Sequence, residues 1–246
     1  MRKALVVGGA NGIGLSIATN LSQTDKYDLI YIVDKATVPD KYNKPKFKNI
    51  QFDLTSNDYS IFDTLQDIDL LMITAGFGHL ELFKNVSERY IVDSFCVNSV
   101  APVRIIHHYM DKLMSVENFY CGIMVSIAGF MSSPFFAVYG ATKAALKIFI
   151  ESVNVELEKG GSANRILNVS PGSIKGTSFN NGLTDLSQTQ QLADDIIKHL
   201  ESKDDLFIPD YDTVFRIVLE RYHSDFREEG KHSYDYKLQS GRLDIR

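Results

Sequence analysis

The chain has 246 residues, 44% hydrophobic and 23% charged, and 26 basic against 31 acidic side chains give a formal net charge of −5. This composition excludes a disordered chain, a collagen-like fibre and a disulfide scaffold. No cationic excess exists to neutralise a phosphate backbone, so nucleic acid is not an expected partner.

Cys96 and Cys121 are too few and too far apart for a disulfide framework or a paired-cysteine metal site, and a reducing, cytoplasmic setting is expected. The opening Met1-Arg2-Lys3 and the apolar 4–7 superficially resemble a signal peptide, but Gly8, Gly9, Asn11 and Gly12 break the run at once. Residues 118–142 carry no charge, yet Ser132-Ser133-Pro134 breaks any single helix there. The expectation is a soluble protein without a membrane span.

In chain order, a strand over 4–7 leads through a glycine turn into a helix over 12–23. Strands over 29–33 and 49–52 follow, then a short helix near Asn57. A fourth strand covers 70–74, and a long helical region covers 87–117 with Pro102 marking a break. A fifth strand over 123–127, a helix over 137–159 and a sixth strand over 165–169 complete the regular part. Beyond Gly172 a polar loop precedes a helix over 186–201, a short strand over 206–208, a helix from Tyr211 and a charged tail from His223.

The strands are rich in Val, Ile and Leu without polar alternation, as when helices cover both sheet faces. Repeated strand–helix–strand order predicts an α/β fold, a doubly wound parallel sheet with right-handed crossovers. No repeat or linker divides the chain, so one domain over 1–246 is expected.

Gly8, Asn11, Gly12, Ile13 and Gly14 lie in the turn between the first strand and first helix. A helix N-terminus presents N–H groups and a positive dipole end to phosphate, and glycines let the backbone approach. Asp34 ends the second strand 20 residues beyond Gly14, where a carboxylate can accept from an adenosine ribose. Its charge would repel a ribose 2′-phosphate, so NAD(H) is favoured, with NADP(H) as the alternative. Asp53 serves equally well as an adenine-side acceptor or as a turn residue.

Tyr139 and Lys143 stand at i and i+4 on one helix face. Tyr31–Lys35 and Tyr42–Lys46 share the spacing, but the first lies in a strand and Pro45 interrupts the second. Ser126, thirteen residues before Tyr139, ends the fifth strand on the sheet edge where ligands of open parallel sheets bind. A cation within about 4–6 Å lowers a neighbouring acid's pKa by ~1–3, which would bring Tyr139 toward a useful range.

These residues resemble the short-chain dehydrogenase/reductase family, in its shorter single-domain, Rossmann-like branch. The marks are Gly8-x3-Gly12-x-Gly14, Asp53, Asn98, Ser126, Tyr139-x3-Lys143 and Pro171-Gly172-Ser173-Ile174, over about 3–177. The resemblance implies an oxidoreductase that interconverts a secondary alcohol and a ketone or aldehyde. Tyr139 would exchange the proton, Ser126 hold the substrate oxygen, Lys143 bind the nicotinamide ribose and Asn98 position a relay water. Ala75, Gly76, Pro171, Gly172, Ile174 and Thr177 would complete the cofactor site, and assembly as a homodimer or homotetramer is implied. Val7 and Ile73-Thr74 depart from the family's usual threonine and asparagines, which bears on loop-bracing hydrogen bonds.

Two further readings stay open on the same fold: a nucleotide-sensing or scaffold protein, and sugar-nucleotide epimerase or dehydratase chemistry. His107-His108 point different ways on a helix and are not expected to bind metal. Phe130, Met131, Phe135, Phe136 and Phe179 could line an apolar pocket, while His79, Lys175, Asn180 and Asn181 could meet a polar substrate.

Overall fold

Short runs of Val, Ile and Leu put apolar side chains on both faces of each strand, and both faces are covered. The computed structural model describes residues 1–177, 179 and 182–240; Asn180 and Asn181 lie outside the described residues. The strands are β1 (Lys3–Val7), β2 (Leu29–Asp34), β3 (Phe47–Gln51), β4 (Leu70–Ile73), β5 (Tyr120–Met124), β6 (Ile166–Val169) and β7 (Leu206–Phe207). They form one parallel sheet in the order β3-β2-β1-β4-β5-β6-β7. This is the expected doubly wound topology.

The helices are α1 (Gly12–Ser22), α2 (Glu88–Phe95), α3 (Ala101–His108), α4 (Met110–Met114), α5 (Ala137–Lys159), α6 (Gln190–Ser202), α7 (Arg216–Ser224) and α8 (Phe226–Gln239). Alternate residues of β1 serve opposite cores. Leu5 and Val7 pack with Ile105 of α3 and Leu146 of α5, whereas Ala4 and Val6 pack with Leu15 of α1 and Ile196 of α6. Chain order reverses between β1 and β4, so a crevice opens at their carboxyl ends.

Several boundaries differ from expectation. The strand expected over 49–52 starts earlier, at Phe47. A 3-10 turn, Ser60–Leu65, stands where a helix near Asn57 was expected. β5 stops at Met124 because Ser126 leaves the ladder to cap a 3-10 turn, its Oγ accepting from the Ala128 N–H at 3.1 Å. The region 87–117 is interrupted by a π turn, Cys96–Val100, and again at Tyr109. Pro102 falls in the first turn of α3, where a missing amide donor costs least.

The chain after Gly172 is also more broken than its pattern suggests. A 3-10 turn, Leu186–Gln188, precedes α6, β7 has two residues, and a π turn, Tyr211–Phe215, precedes α7. The charged tail is helical. Asp225 caps α8 by accepting from the N–H groups of Arg227 and Glu228, and Glu229 bonds Arg221 of α7 at 2.6 and 3.1 Å. Among the described residues no helix is long and apolar enough to cross a membrane.

Candidate active site

The turn between β1 and α1 depends on closely packed backbone. Gly8 has φ +85°, and a Cβ there would come within 2.4 Å of the Ala75 amide nitrogen. A Cβ on Gly14 would lie 2.3 Å from the Gly8 carbonyl oxygen and 2.3 Å from Thr74 Oγ1. Thr74 Oγ1 donates toward the carbonyls of Val7 (3.1 Å) and Gly8 (3.0 Å), so bracing absent at Val7 is supplied from β4's end. Sequence reasoning missed this role, although a hydroxyl ending a strand adjacent to β1 signalled it.

Asp34 closes β2 beside this turn, Oδ2 accepting from the Ala10 N–H and Oδ1 from the Ala36 N–H, each at 3.0 Å. Asp53 accepts from the amide and hydroxyl of Thr55, both at 2.9 Å, which holds its carboxyl below the usual range. That geometry favours its turn role. Asn11 stands at the N-cap position of α1, followed by Gly12 with φ +52° and Ile13. A bare backbone approach, a helix N-terminus and a neighbouring carboxylate together fit a dinucleotide's pyrophosphate and ribose.

The segment after β6 lies over the turn. Thr177 packs on Gly12 and bonds the Ile174 carbonyl at 3.3 Å, and the Gly12 N–H donates to Thr184 Oγ1 at 3.3 Å. Thr184 thus holds an amide of the glycine turn through one long hydrogen bond. Phe215 packs its ring against Gly172, close enough that a Cβ there would meet it at 2.6 Å. Neither Thr184 nor Phe215 carried a sequence signal, because both come from the irregular region beyond β6.

Ser126, Tyr139, Lys143 and Asn98 come together at the carboxyl edge of β5. Tyr139 lies in the first turn of α5, half-buried between the rings of Phe136 (5.3 Å) and Phe179 (5.1 Å). Burial pushes its phenol up to about 12, against the opposing hydrogen bond with Ser126. Ser126 Oγ also faces the Pro171 carbonyl at 3.4 Å. Lys143 is buried one turn further on, donating to the Met124 carbonyl at 2.8 Å with its ammonium 5.7 Å from the Tyr139 ring centre. Burial pushes this lysine down to about 7.

The expected lowering of Tyr139 by Lys143 is therefore corrected. Desolvation governs both groups, raising the phenol and favouring the neutral amine. Asn98, fully buried in the π turn, bonds main-chain atoms of Phe77 and reaches Thr142 Oγ1 at 3.3 Å. Gly76 passes between Asn98 and Lys143, since a Cβ there would lie 3.3 Å from Asn98 Oδ1 and from Lys143 Nζ.

Phe135, Phe136 and Tyr139 line a recess together with His79, Glu81 and Tyr90. The Tyr90 hydroxyl accepts from the His79 N–H at 3.2 Å. Lys175 is exposed on the loop after β6. His108 pairs with Asp63 at 2.7 Å, and among the described residues no cluster of three or more His, Cys, Asp or Glu is arranged for a metal.

A parallel doubly wound sheet with a glycine turn at its switch point defines a nucleotide-binding class of architecture. The short chain dehydrogenase model matches residues 2–188, and the chain belongs to that family. An uncharacterized oxidoreductase of Saccharomyces cerevisiae, TDA5, is 28% identical over 184 residues, 71% of this chain and 56% of TDA5. The short-chain dehydrogenase RED1 of Pyricularia oryzae is 28% identical over 186 residues, 70% of this chain and 62% of RED1. The chain thus spans only about three-fifths of these curated relatives. The bulky-bulky ketone specific alcohol dehydrogenase of Comamonas testosteroni superposes with TM-score 0.71 at 22% identity, over 100% of this chain and 95% of that one. An alcohol dehydrogenase of Thermococcus sibiricus, solved with 5-hydroxy-NADP, gives 0.71 at 17% identity over 85% and 95%. These structural likenesses show the fold.

Proposed function

We propose that the protein interconverts a secondary alcohol and a ketone or aldehyde, using NAD(H) in preference to NADP(H). The observation that carries the reading is the meeting of the Ser126 and Tyr139 hydroxyls, with the Lys143 ammonium 5.7 Å from the Tyr139 ring centre. When bound, the dinucleotide supplies or accepts the hydride. Gly8, Asn11, Gly12, Ile13 and Gly14 would hold its pyrophosphate, and Asp34 its adenosine ribose. Tyr139 and Lys143 would hold the second ribose, with Ala75, Gly76, Pro171, Gly172, Ile174 and Thr177 around the nicotinamide.

Ser126 donates to the substrate oxygen as charge develops there, and Tyr139 gives that oxygen its proton in reduction. A phenol raised to about 12 stays protonated at neutral pH, ready to act as the acid. Lys143, held near 7, can exchange a proton in the same range. Phe136 and Phe179 exclude water from the phenol's flanks. Alcohol dehydrogenases among the fold's neighbours are consistent with this substrate class.

Contacts of α8 with the loop before α5 support a single domain over 1–246. Exposed Val92 and Phe95 on α2, Val100 in the π turn, and Ile148 and Val155 on α5 support a homodimer or homotetramer. The test is a spectrophotometric screen of NADH and NADPH oxidation against pooled ketones and aldehydes, alongside Tyr139→Phe. Turnover should fall about 10²–10⁴-fold in the variant with cofactor affinity kept. Cofactor binding without turnover in any pool would favour a sensor and overturn the reading.

A further inference from the structure

Resting on that reading, we propose that α8 sets substrate specificity, with Lys237 as a positioning residue. It pins the loop over 132–136 and, through Phe136, fixes the apolar wall beside Tyr139.

The loop is under conformational strain. Phe135 has φ +66°, a left-handed backbone that a non-glycine residue keeps only where its surroundings over-determine it. Three contacts do so. Its carbonyl accepts from the Glu81 N–H at 2.9 Å, and its buried ring packs on Tyr234 of α8 at 4.5 Å. On its N-terminal side, Lys237 Nζ donates to Ser133 Oγ at 2.7 Å and to the Pro134 carbonyl at 2.8 Å. The backbone of α8 also comes close, since a Cβ on Gly230 would touch Ser132 Oγ at 3.5 Å.

A lysine on a surface helix ordinarily extends its ammonium into water. Lys237 instead turns inward, with its ammonium 5.5 Å from the centre of the Phe136 ring. Burial pushes it down to about 8. The charge is offset by the two oxygens it bonds, so the loop's position and the helix's position are coupled. Phe136 then lies against Tyr139, and both line a small recess open to solvent. The family match ends at residue 188, so it does not extend to α8.

Lys237→Met, Lys237→Arg and Tyr234→Leu would be made in the full chain. Hydrogen exchange of the 130–139 amides reads the pin directly, whether or not any ketone is turned over. Exchange should quicken about tenfold in Lys237→Met and Tyr234→Leu and return toward the parent rate in Lys237→Arg. With acetophenone and acetone as probes, KM for acetophenone should rise about tenfold in Lys237→Met. Little change is expected in its kcat, in acetone kinetics or in NADH affinity. Unchanged exchange overturns the pin, even if the parent protein is inactive toward every ketone. Quickened exchange with equal KM changes for both ketones, or with weakened NADH binding, overturns the specificity role.

Discussion

Asn98 holds Phe77 by both of its main-chain polar atoms: Oδ1 accepts from the N–H at 2.9 Å and Nδ2 donates to the carbonyl at 2.8 Å. A residue expected to position a water thus braces the loop after β4, with Gly76 threaded between it and Lys143. Asn98→Ala leaves two main-chain groups without their partner and should cost about 2–3 kcal/mol. Urea unfolding measures the loss, and an unchanged midpoint would mean that water replaces the clamp freely.

Lys143 makes stability depend on pH with a definite sign. Its folded pKa is near 7 against 10.5 as the ordinary value, so between these the unfolded chain binds more protons and stability rises with pH. Tyr139 acts oppositely only above pH 10, where its folded value near 12 keeps a proton that the unfolded chain has lost. Lys143→Met removes the first effect. Relative to the parent, the variant should be more stable at pH 6.5, and its advantage should shrink by at most ~1.4 kcal/mol per pH unit between pH 7.5 and 9.5. A gap independent of pH would show that Lys143 stays charged when folded.

Asp34 bears on cofactor choice. NADH should bind more tightly than NADPH in fluorescence titration, and Asp34→Ala should weaken NADH about tenfold or more by removing a charged acceptor. NADPH should lose far less. Tighter NADPH binding by the unaltered protein would overturn the preference.

Val155 and Ile148 are each 58% exposed on the outer face of α5, an unusual place for bare aliphatic side chains on a helix of this length. Ile148→Glu with Val155→Glu should lower the sedimentation coefficient of an assembled protein to that of a monomer. Identical coefficients would show that the chain assembles elsewhere or not at all.

The strands and the helices α1, α5 and α6 were legible because their signals are local. β1, β2 and β4 are short apolar runs, and Gly8, Gly12 and Gly14 mark the turn by residue type alone. Tyr139 and Lys143 were legible by helical spacing. The π turn around Asn98 and the break at Tyr109 were not, since in each a side chain bonds a partner distant in sequence. Thr184 on Gly12 and Lys237 on Ser133 join residues more than a hundred positions apart, and no periodicity encodes such pairs.

Sequence by itself therefore determined the sheet's parallel character, the glycine turn and the placing of Tyr139 one helical turn before Lys143, because each follows from residue type and near-neighbour spacing. Only tertiary structure decided the ionisation of the Tyr139 phenol and its lysine. Desolvation depends on everything packed around a group, and here it outweighs the pairwise attraction that spacing suggests. The docking of the tail against the pocket wall was likewise decided in three dimensions, by a lysine whose partners lie before α5 rather than along α8.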